Sequence, residues 1–504
     1  MKKVSGLGEF ALGQAVPSRD HAVCVSLPTV NDLVGYEKKD PKTLSAMRSG
    51  YPRFVQHRFL RELIRLEEKN SGSTGNQNFL FTNSKHCLDG LEKNSIQNYQ
   101  IHERENYTWL QLPEGSKEAA NISSFVQHTG GSLSSRQAEE ILLSHGCITD
   151  RESISDNENP SQFARKIIAE VHGEGVSEDK VLLSSSGANA FYSLFQTAFQ
   201  HSLEKGKSIW IRFGWLYLDT IETMELVSGK EHEIIALTDL SNLDQLKEIF
   251  SSYGDQIAGV VTEFPTNPLL QSCDLEKVRE LCNRSNALLI VDPTMASPKN
   301  VKVAYLSDVL VNSLTKYASW QGDLMIGSLV FPDHSKLGTE LFESTKSLIC
   351  PPFKRDLLRL CEQLPNYPKF VEKTNQTLIQ VVEFLESHPA VKKVFWAYQK
   401  GSDEFFKQMA GDGSPGCVVS FEVKGNFESF YNQLQMLKSP SFGTEFSLCC
   451  PYVYLAHYKL LQTKEGLEIL NKGGISPHLC RLSVGLENPE DIIQTLQDAL
   501  QGME

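Results

Sequence analysis

Residues 287–294 read ALLIVDPT and residues 308–316 read DVLVNSLTK. Each is a short apolar, partly β-branched run that ends on an ionisable side chain, Asp292 in the first and Lys316 in the second. Such runs are too short for helices, and the lack of apolar–polar alternation is what a strand buried on both faces shows. They read as strands of a parallel sheet. Ligands of open parallel sheets bind at the carboxyl ends of the strands, where both side chains sit. Alone, Asp292 fits a turn cap and Lys316 a surface lysine; the pair gains weight from the chain upstream.

There, VLLSSSGANAFYSLFQTAFQ (181–200) runs from an apolar strand through Ser184, Ser185, Ser186 and Gly187 into a helical apolar pattern. A helix start of this kind offers free backbone N–H groups, the positive end of the helix dipole and small hydroxyls to an anion, and Gly187 lets the backbone come close. Ser313 and Thr315 add hydroxyls just before Lys316. A phosphate cradle, a carboxylate and a lysine, in that order at strand ends, are what pyridoxal phosphate requires. The lysine binds the cofactor as a Schiff base and the carboxylate keeps its ring nitrogen protonated.

The chain resembles the pyridoxal-phosphate enzymes of cysteine and methionine metabolism, which include cystathionine gamma-synthase and the gamma- and beta-lyases. The resemblance is carried by EFPTNPLLQSCDLEKVRELCNRSNALLIVDPTMASP (263–298), NSLTKYASWQGDLMIG (312–327) and RLSVGLENPEDII (481–493). Within the family, FGWLYLDT (213–220) and SPSFGTEFSLCCPY (439–452) look most like a divergent branch of cystathionine gamma-synthases. The resemblance implies an α/β protein of fold type I, with a large, mostly parallel seven-stranded sheet and a smaller C-terminal α/β domain. Lys316 and Asp292 become the catalytic pair; Ser186, Gly187, Ala188, Thr294, Ser313 and Thr315 surround the cofactor. Arg481 becomes the clamp for the substrate carboxylate, a task that suits a planar guanidinium, with Asn267, Glu263 and Ser441 beside it.

Three departures from the family pattern stand out. The tyrosine that stacks on the cofactor ring aligns with Phe213, which keeps a stacking face and lacks the phenol, with Tyr217 four residues on. The Tyr-x-Arg motif that a neighbouring subunit lends to the phosphate has two candidates: Arg136 in SLSSRQAEE, with Ser134 in place of tyrosine, and Tyr51 with Arg53 in SGYPRF, which lies early in the chain. Arg136 is the favoured one. The acid of the family's SLGxxES becomes Phe446.

Composition sets the outer limits. A chain of 504 residues with 40% hydrophobic content can bury a large core, and a net charge of −13 opposes a nucleic-acid partner. No apolar run approaches the roughly 20 residues of a membrane span, and MKKVSGLGEF lacks a signal-peptide centre, so a cytoplasmic protein is expected. Eleven irregularly spaced cysteines read as reduced thiols, and the adjacent Cys449 and Cys450 lack the spacing of metal ligands, so no metal is expected. His457 and Tyr458 in YLAHYK sit on a helical pattern.

Three parts follow along the chain: an N-terminal segment over 1–133, with the polar stretch Glu68–Asn78 read as a loop, a cofactor-binding domain over 134–350 and a C-terminal domain over 351–504. The implied reaction is gamma-replacement on an acylated homoserine by the thiol of cysteine, giving cystathionine. A gamma- or beta-lyase, a homoserine sulfhydrylase and a non-catalytic binding protein on the same scaffold stay open. Small amino-acid substrates and a homodimer or homotetramer with shared active sites complete the expectation.

Overall fold

The structure is a computed structural model that describes residues 4–48, 55–72, 75–229, 232–241 and 243–503. Seven strands form the central sheet: β1 (Val181–Ser184), β2 (Ile209–Phe213), β3 (Ile234–Leu237), β4 (Ile257–Glu263), β5 (Leu288–Asp292), β6 (Val309–Ser313) and β7 (Gly327–Val330). Their order across the sheet is β1-β7-β6-β5-β4-β2-β3. All neighbours pair parallel except β7, which runs antiparallel to both β6 and β1. This is the mostly parallel seven-stranded sheet of fold type I that the resemblance implies, and most of its strands are buried along their length.

The pairing decides what meets at the sheet's end. In the β4–β5 register Asp292 lies opposite Glu263, and Ser313 on β6 pairs with Gly327 on β7, which in turn pairs with Ser184 on β1. The carboxylates, the lysine loop and the serine turn are thus brought to one edge. Helix α1 (Gly187–Glu204) starts there, with the Ser186 side chain accepting a hydrogen bond from the Asn189 N–H as its cap.

The smaller C-terminal sheet contains β8 (Val391–Phe395), β9 (Val418–Val423), β10 (Leu437–Lys438), β11 (Leu448–Pro451) and β12 (Cys480–Ser483) in the order β8-β9-β12-β11-β10. The N-terminal segment is more structured than its sequence suggests. A three-stranded antiparallel sheet forms from 76–81, 108–113 and 100–103, and the stretch read as a loop from Glu68 instead ends one helix, Arg58–Ser71, and opens a strand at Asn76. Asn78 there accepts from the Trp109 indole and the Gln111 amide, so side-chain hydrogen bonds stabilise a polar strand. Residues near the start lie along the C-terminal sheet, with Leu437 N–H donating to Gly6 and Leu27 N–H donating to Lys438. Among the described residues no helix is long and apolar enough to cross a membrane.

Candidate active site

One cavity at the carboxyl edge of the central sheet is lined by Ser186, Gly187, Ala188, Glu263, Asn267, Asp292, Thr294, Ser313, Thr315, Lys316, Ser441 and Arg481. These are twelve of the residues singled out in the sequence, and the topology gathers them from positions nearly three hundred residues apart. Thr294 joins the floor: its backbone N–H donates to Asp292 Oδ1 at 2.8 Å, its hydroxyl donates to Asn312 Oδ1 at 3.1 Å, and it accepts from Ser313 N at 3.0 Å. Strand ends β5 and β6 are therefore fixed to each other, and Lys316 follows three residues later. Its Nζ donates to Ser441 Oγ at 3.0 Å and lies 5.0 Å from the centre of the Phe442 ring. Ser441 has φ +98, a left-handed conformation that costs an ordinary residue free energy and marks a constrained position.

Opposite the lysine, the Arg481 guanidinium donates to Asn267 Oδ1 at 2.7 Å and to the Ser441 carbonyl at 3.1 Å. The rings of Phe442 and Tyr452 lie 5.1 and 5.6 Å from its central carbon. Its Nε is buried with no hydrogen-bond partner. A buried donor left unpaired costs free energy unless something fills the site, so this nitrogen is placed for an anion.

The carboxylates give the same indication for a cation. Burial raises Asp292 to about 6. Burial, then the charge of Asp292, hold Glu263 well above the usual carboxylate range, although Tyr217 N–H and Asn267 N–H both donate to it. Two buried carboxyls side by side do not both ionise without a positive partner. The protonated ring nitrogen of pyridoxal phosphate is such a partner. At the other end the cradle is tight: a Cβ on Gly187 would lie 3.0 Å from Ser313 Cβ, so glycine permits the close approach of the turn. The residues present fit the cofactor.

These features coincide with a family match. The model of the Cys/Met metabolism PLP-dependent enzymes covers residues 156–501. The chain belongs to this family. It is 30% identical over 501 residues to an L-2-amino-4-chloropent-4-enoate dechlorinase/desaturase of Streptantibioticus cattleyicolor, which spans 98% of this chain and 99% of that protein. It is 27% identical to a cystathionine gamma-synthase of Neurospora crassa over 68% of this chain and 55% of that protein. Its fold matches cystathionine gamma synthase from Xanthomonas oryzae pv. oryzae in complex with cystathionine, with a TM-score of 0.60 and 22% identity over 71% of this chain and 89% of that one. Pyridoxal 5′-phosphate is the cofactor of the family.

Three expectations change. Phe213 does not reach the cavity; it ends β2 fully buried in the core, and Tyr217 lines the cavity instead. The turn through Gly214, at φ +103, carries the chain over the sheet edge to Tyr217, whose backbone N–H donates to Glu263. Arg136 is also away from the cavity wall. It is 1% exposed and donates to Glu152, Asp356 and the Asp323 carbonyl, so its fork is consumed by an internal ion network. Tyr51 and Arg53 lie outside the described residues. Phe446 packs with Val16, Cys24, Leu437 and Leu448 rather than at the site.

The sequence reading also missed part of the wall: Val126, Gln127, Gly130 and Ser132 from the N-terminal segment, Asp219 and Thr220 after Tyr217, Met325, and Tyr452, Leu455 and Ala456. His457 stands behind Tyr452. Its Nε2 lies 3.2 Å from the Trp215 indole nitrogen and 3.3 Å from the Tyr452 hydroxyl. An indole N–H only donates, so this imidazole nitrogen is an acceptor. The motif YLAHYK carried the signal, though on a short helix, Tyr452–Ala456, that ends before His457.

Proposed function

We propose that this protein catalyses gamma-elimination on an α-amino acid that carries an anionic leaving group at Cγ. One observation carries the reading. Among the described residues lining the cavity, Arg481 is the only guanidinium and Lys316 the only other cation. Replacement by the thiol of cysteine must seat a second amino acid, and among the described residues the wall offers one carboxylate clamp. Much of the remaining wall is apolar, with Val126, Phe191, Val311, Met325, Phe442 and Leu455. Such a lining suits a short substrate side chain and excludes water.

When bound, pyridoxal phosphate supplies an electron sink for the charge that develops at Cα. Asp292 holds a proton on the ring nitrogen. Arg481 binds the substrate carboxylate and, with Asn267, fixes the angle of Cα–H. Lys316 Nζ moves protons at Cα and Cβ, and Ser441 Oγ holds that amine in place between transfers. The Tyr217 phenol adds a second proton-carrying group on the cofactor side. Departure of the leaving group from Cγ then needs no second substrate.

The relation to a dechlorinase/desaturase across nearly the whole chain supports elimination. The relation to cystathionine gamma-synthases favours a second reading, gamma-replacement by cysteine. One experiment separates them. The holoprotein is incubated with homoserine esters, cystathionine, methionine and a γ-chlorinated allylic amino acid, with and without cysteine, and release of the leaving group is followed. Elimination predicts release without thiol. Turnover that strictly requires cysteine and yields cystathionine would replace the first reading by the second.

A further inference from the structure

We infer that the N-terminal segment of the same chain binds the cofactor's phosphate, through the turn Thr129–Ser132. The inference rests on the cofactor and is independent of which reaction the site performs. Helix 117–129 ends at Thr129, and Gly130 and Gly131 follow with φ +68 and +79. Gly130 sits against the serine turn so closely that a Cβ there would lie 2.3 Å from Ser186 Oγ. Gly130 and Ser132 line the cavity next to Ser186, Gly187 and Ala188.

Three carbonyls of this turn are engaged, that of Thr129 by α1 and those of Gly130 and Gly131 by the N-terminal segment. Asn189 Nδ2 donates to Thr129 O at 3.4 Å, His86 Nε2 lies 2.9 Å from Gly130 O, and Thr82 N–H and hydroxyl both donate to Gly131 O at 3.0 Å. Burial lowers the His86 pKa to about 4, so the ring is neutral with its proton on Nε2, facing the carbonyl. A trans peptide points its N–H opposite its C=O. With the carbonyls of Gly130 and Gly131 turned toward His86 and Thr82, the N–H groups of Gly131 and Ser132 turn the other way, the side on which Gly130 and Ser132 meet the cavity. Two adjacent N–H groups turned to one side offer a pair of donors to an anion, here facing the start of α1. Arg136, four residues on, is held elsewhere by carboxylates and leaves this side of the cradle to the backbone turn.

Two titrations of the apoprotein test this, one with pyridoxal phosphate and one with pyridoxal, each followed by the visible band of the lysine-bound cofactor. Gly130→Ala and Ser132→Pro, which removes the Ser132 N–H, should raise the Kd for pyridoxal phosphate by about tenfold or more, the scale of one hydrogen bond to a charged group. Their affinity for pyridoxal should stay unchanged. Gly229→Ala is the control: its φ +66 and ψ −164 lie near the +68 and −149 of Gly130, with open space around it, so it carries the backbone strain without touching the cradle. Should Gly130→Ala fail to fold, Ser132→Pro decides alone. Unchanged affinity for pyridoxal phosphate, or equal loss for pyridoxal, overturns the inference. In addition, Gly130→Ala mixed with Lys316→Ala, below the variant's Kd and with subunit exchange checked by labelling, should leave the band absent. Recovery of the band would mean that the turn serves a neighbouring subunit's site, which overturns the assignment to the same chain.

Discussion

Replacing Arg481 by lysine keeps the charge and removes the fork, which makes it a sharp probe of the carboxylate clamp. Arg481 spends one nitrogen on Asn267 Oδ1 at 2.7 Å and another on the Ser441 carbonyl at 3.1 Å, while Nε is buried and unpaired. A lysine is a point charge and cannot keep both contacts while presenting two parallel donors to a carboxylate. Loss of one charge-assisted hydrogen bond, ~1.5–3 kcal/mol, predicts a KM for the amino acid raised about 10–150-fold. Because the contact is made in ground and transition states alike, kcat should change by less than about threefold. A second cost follows from the same geometry: Asn267 Oδ1 or Ser441 O is left buried without its donor, ~1–3 kcal/mol of stability, or about 1–3 °C in a chain of this size. The assays are steady-state kinetics at matched cofactor loading and scanning calorimetry. An unchanged KM with a fall confined to kcat, or a loss of cofactor binding, would refute the clamp and leave Arg481 a structural role in holding Asn267 and Ser441.

Lys316→Ala should abolish the visible band of the lysine-bound cofactor while leaving the fold intact by circular dichroism; a retained band would place the attachment elsewhere. Asp292 has a folded pKa of about 6, raised by burial from 3.8. The folded apoprotein therefore holds the proton longer than the unfolded chain, and this contribution is fully present below about pH 4 and is lost as pH rises through about 6. The Tm of Asp292→Asn apoprotein should accordingly gain on that of the unmodified apoprotein between these limits; a constant difference counts against the shift. Tyr217→Phe should lower kcat and leave cofactor affinity unchanged, whereas Phe213→Leu should lower Tm by a core-packing loss, ~1–2 kcal/mol, with kinetics preserved; the reverse pattern would restore Phe213 to the site. His457→Phe removes the acceptor that the Trp215 indole and the Tyr452 hydroxyl share, and should raise KM severalfold through Tyr452 and Arg481. An unchanged KM would make that trio a packing feature.

The central sheet was legible because strands buried on both faces appear as continuous apolar runs, and most of the seven are buried in this way, β3 at the sheet's edge excepted. The site floor was legible for a related reason: Asp292, Lys316 and Arg481 are charged residues at the edges of apolar runs, where burial without a ligand is costly. What the sequence concealed was geometry off the strands. Phe213 and Tyr217 are separated by a glycine turn, and a linear pattern does not say which of two aromatics four residues apart crosses the sheet edge. Arg136 looked like an anion ligand because it stands roughly as far ahead of the phosphate turn as the arginine of the family's Tyr-x-Arg motif. Its carboxylate neighbours, Glu152, Asp323 and Asp356, are brought in by tertiary folding from up to 220 residues away. The N-terminal sheet escaped notice because its first strand opens with Asn76, Gln77 and Asn78, whose pairing depends on side-chain contacts from the facing strand.

The division between floor and wall also bears on how one scaffold supports several reactions. The groups proposed to address the cofactor and the α-carboxylate stand at or near strand ends, Asp292, Lys316 and Asn267 at or after β5, β6 and β4 of the central sheet and Arg481 on β12 of the smaller one. The groups that meet the rest of the substrate, Val126, Gln127, Met325, Leu455 and Ala456, come from helices and loops outside the central sheet. On the proposed reading, changing the floor should abolish chemistry at Cα, and changing the wall should alter which Cγ substituent and which second reactant can enter. The choice between elimination and replacement is then expected to lie in the segments around Val126–Ser132 and Tyr452–Ala456, and a second cation introduced there, as in Gln127→Arg, should raise the rate with added cysteine relative to the rate without it. An unchanged ratio in a folded, cofactor-loaded variant would place the choice in the floor.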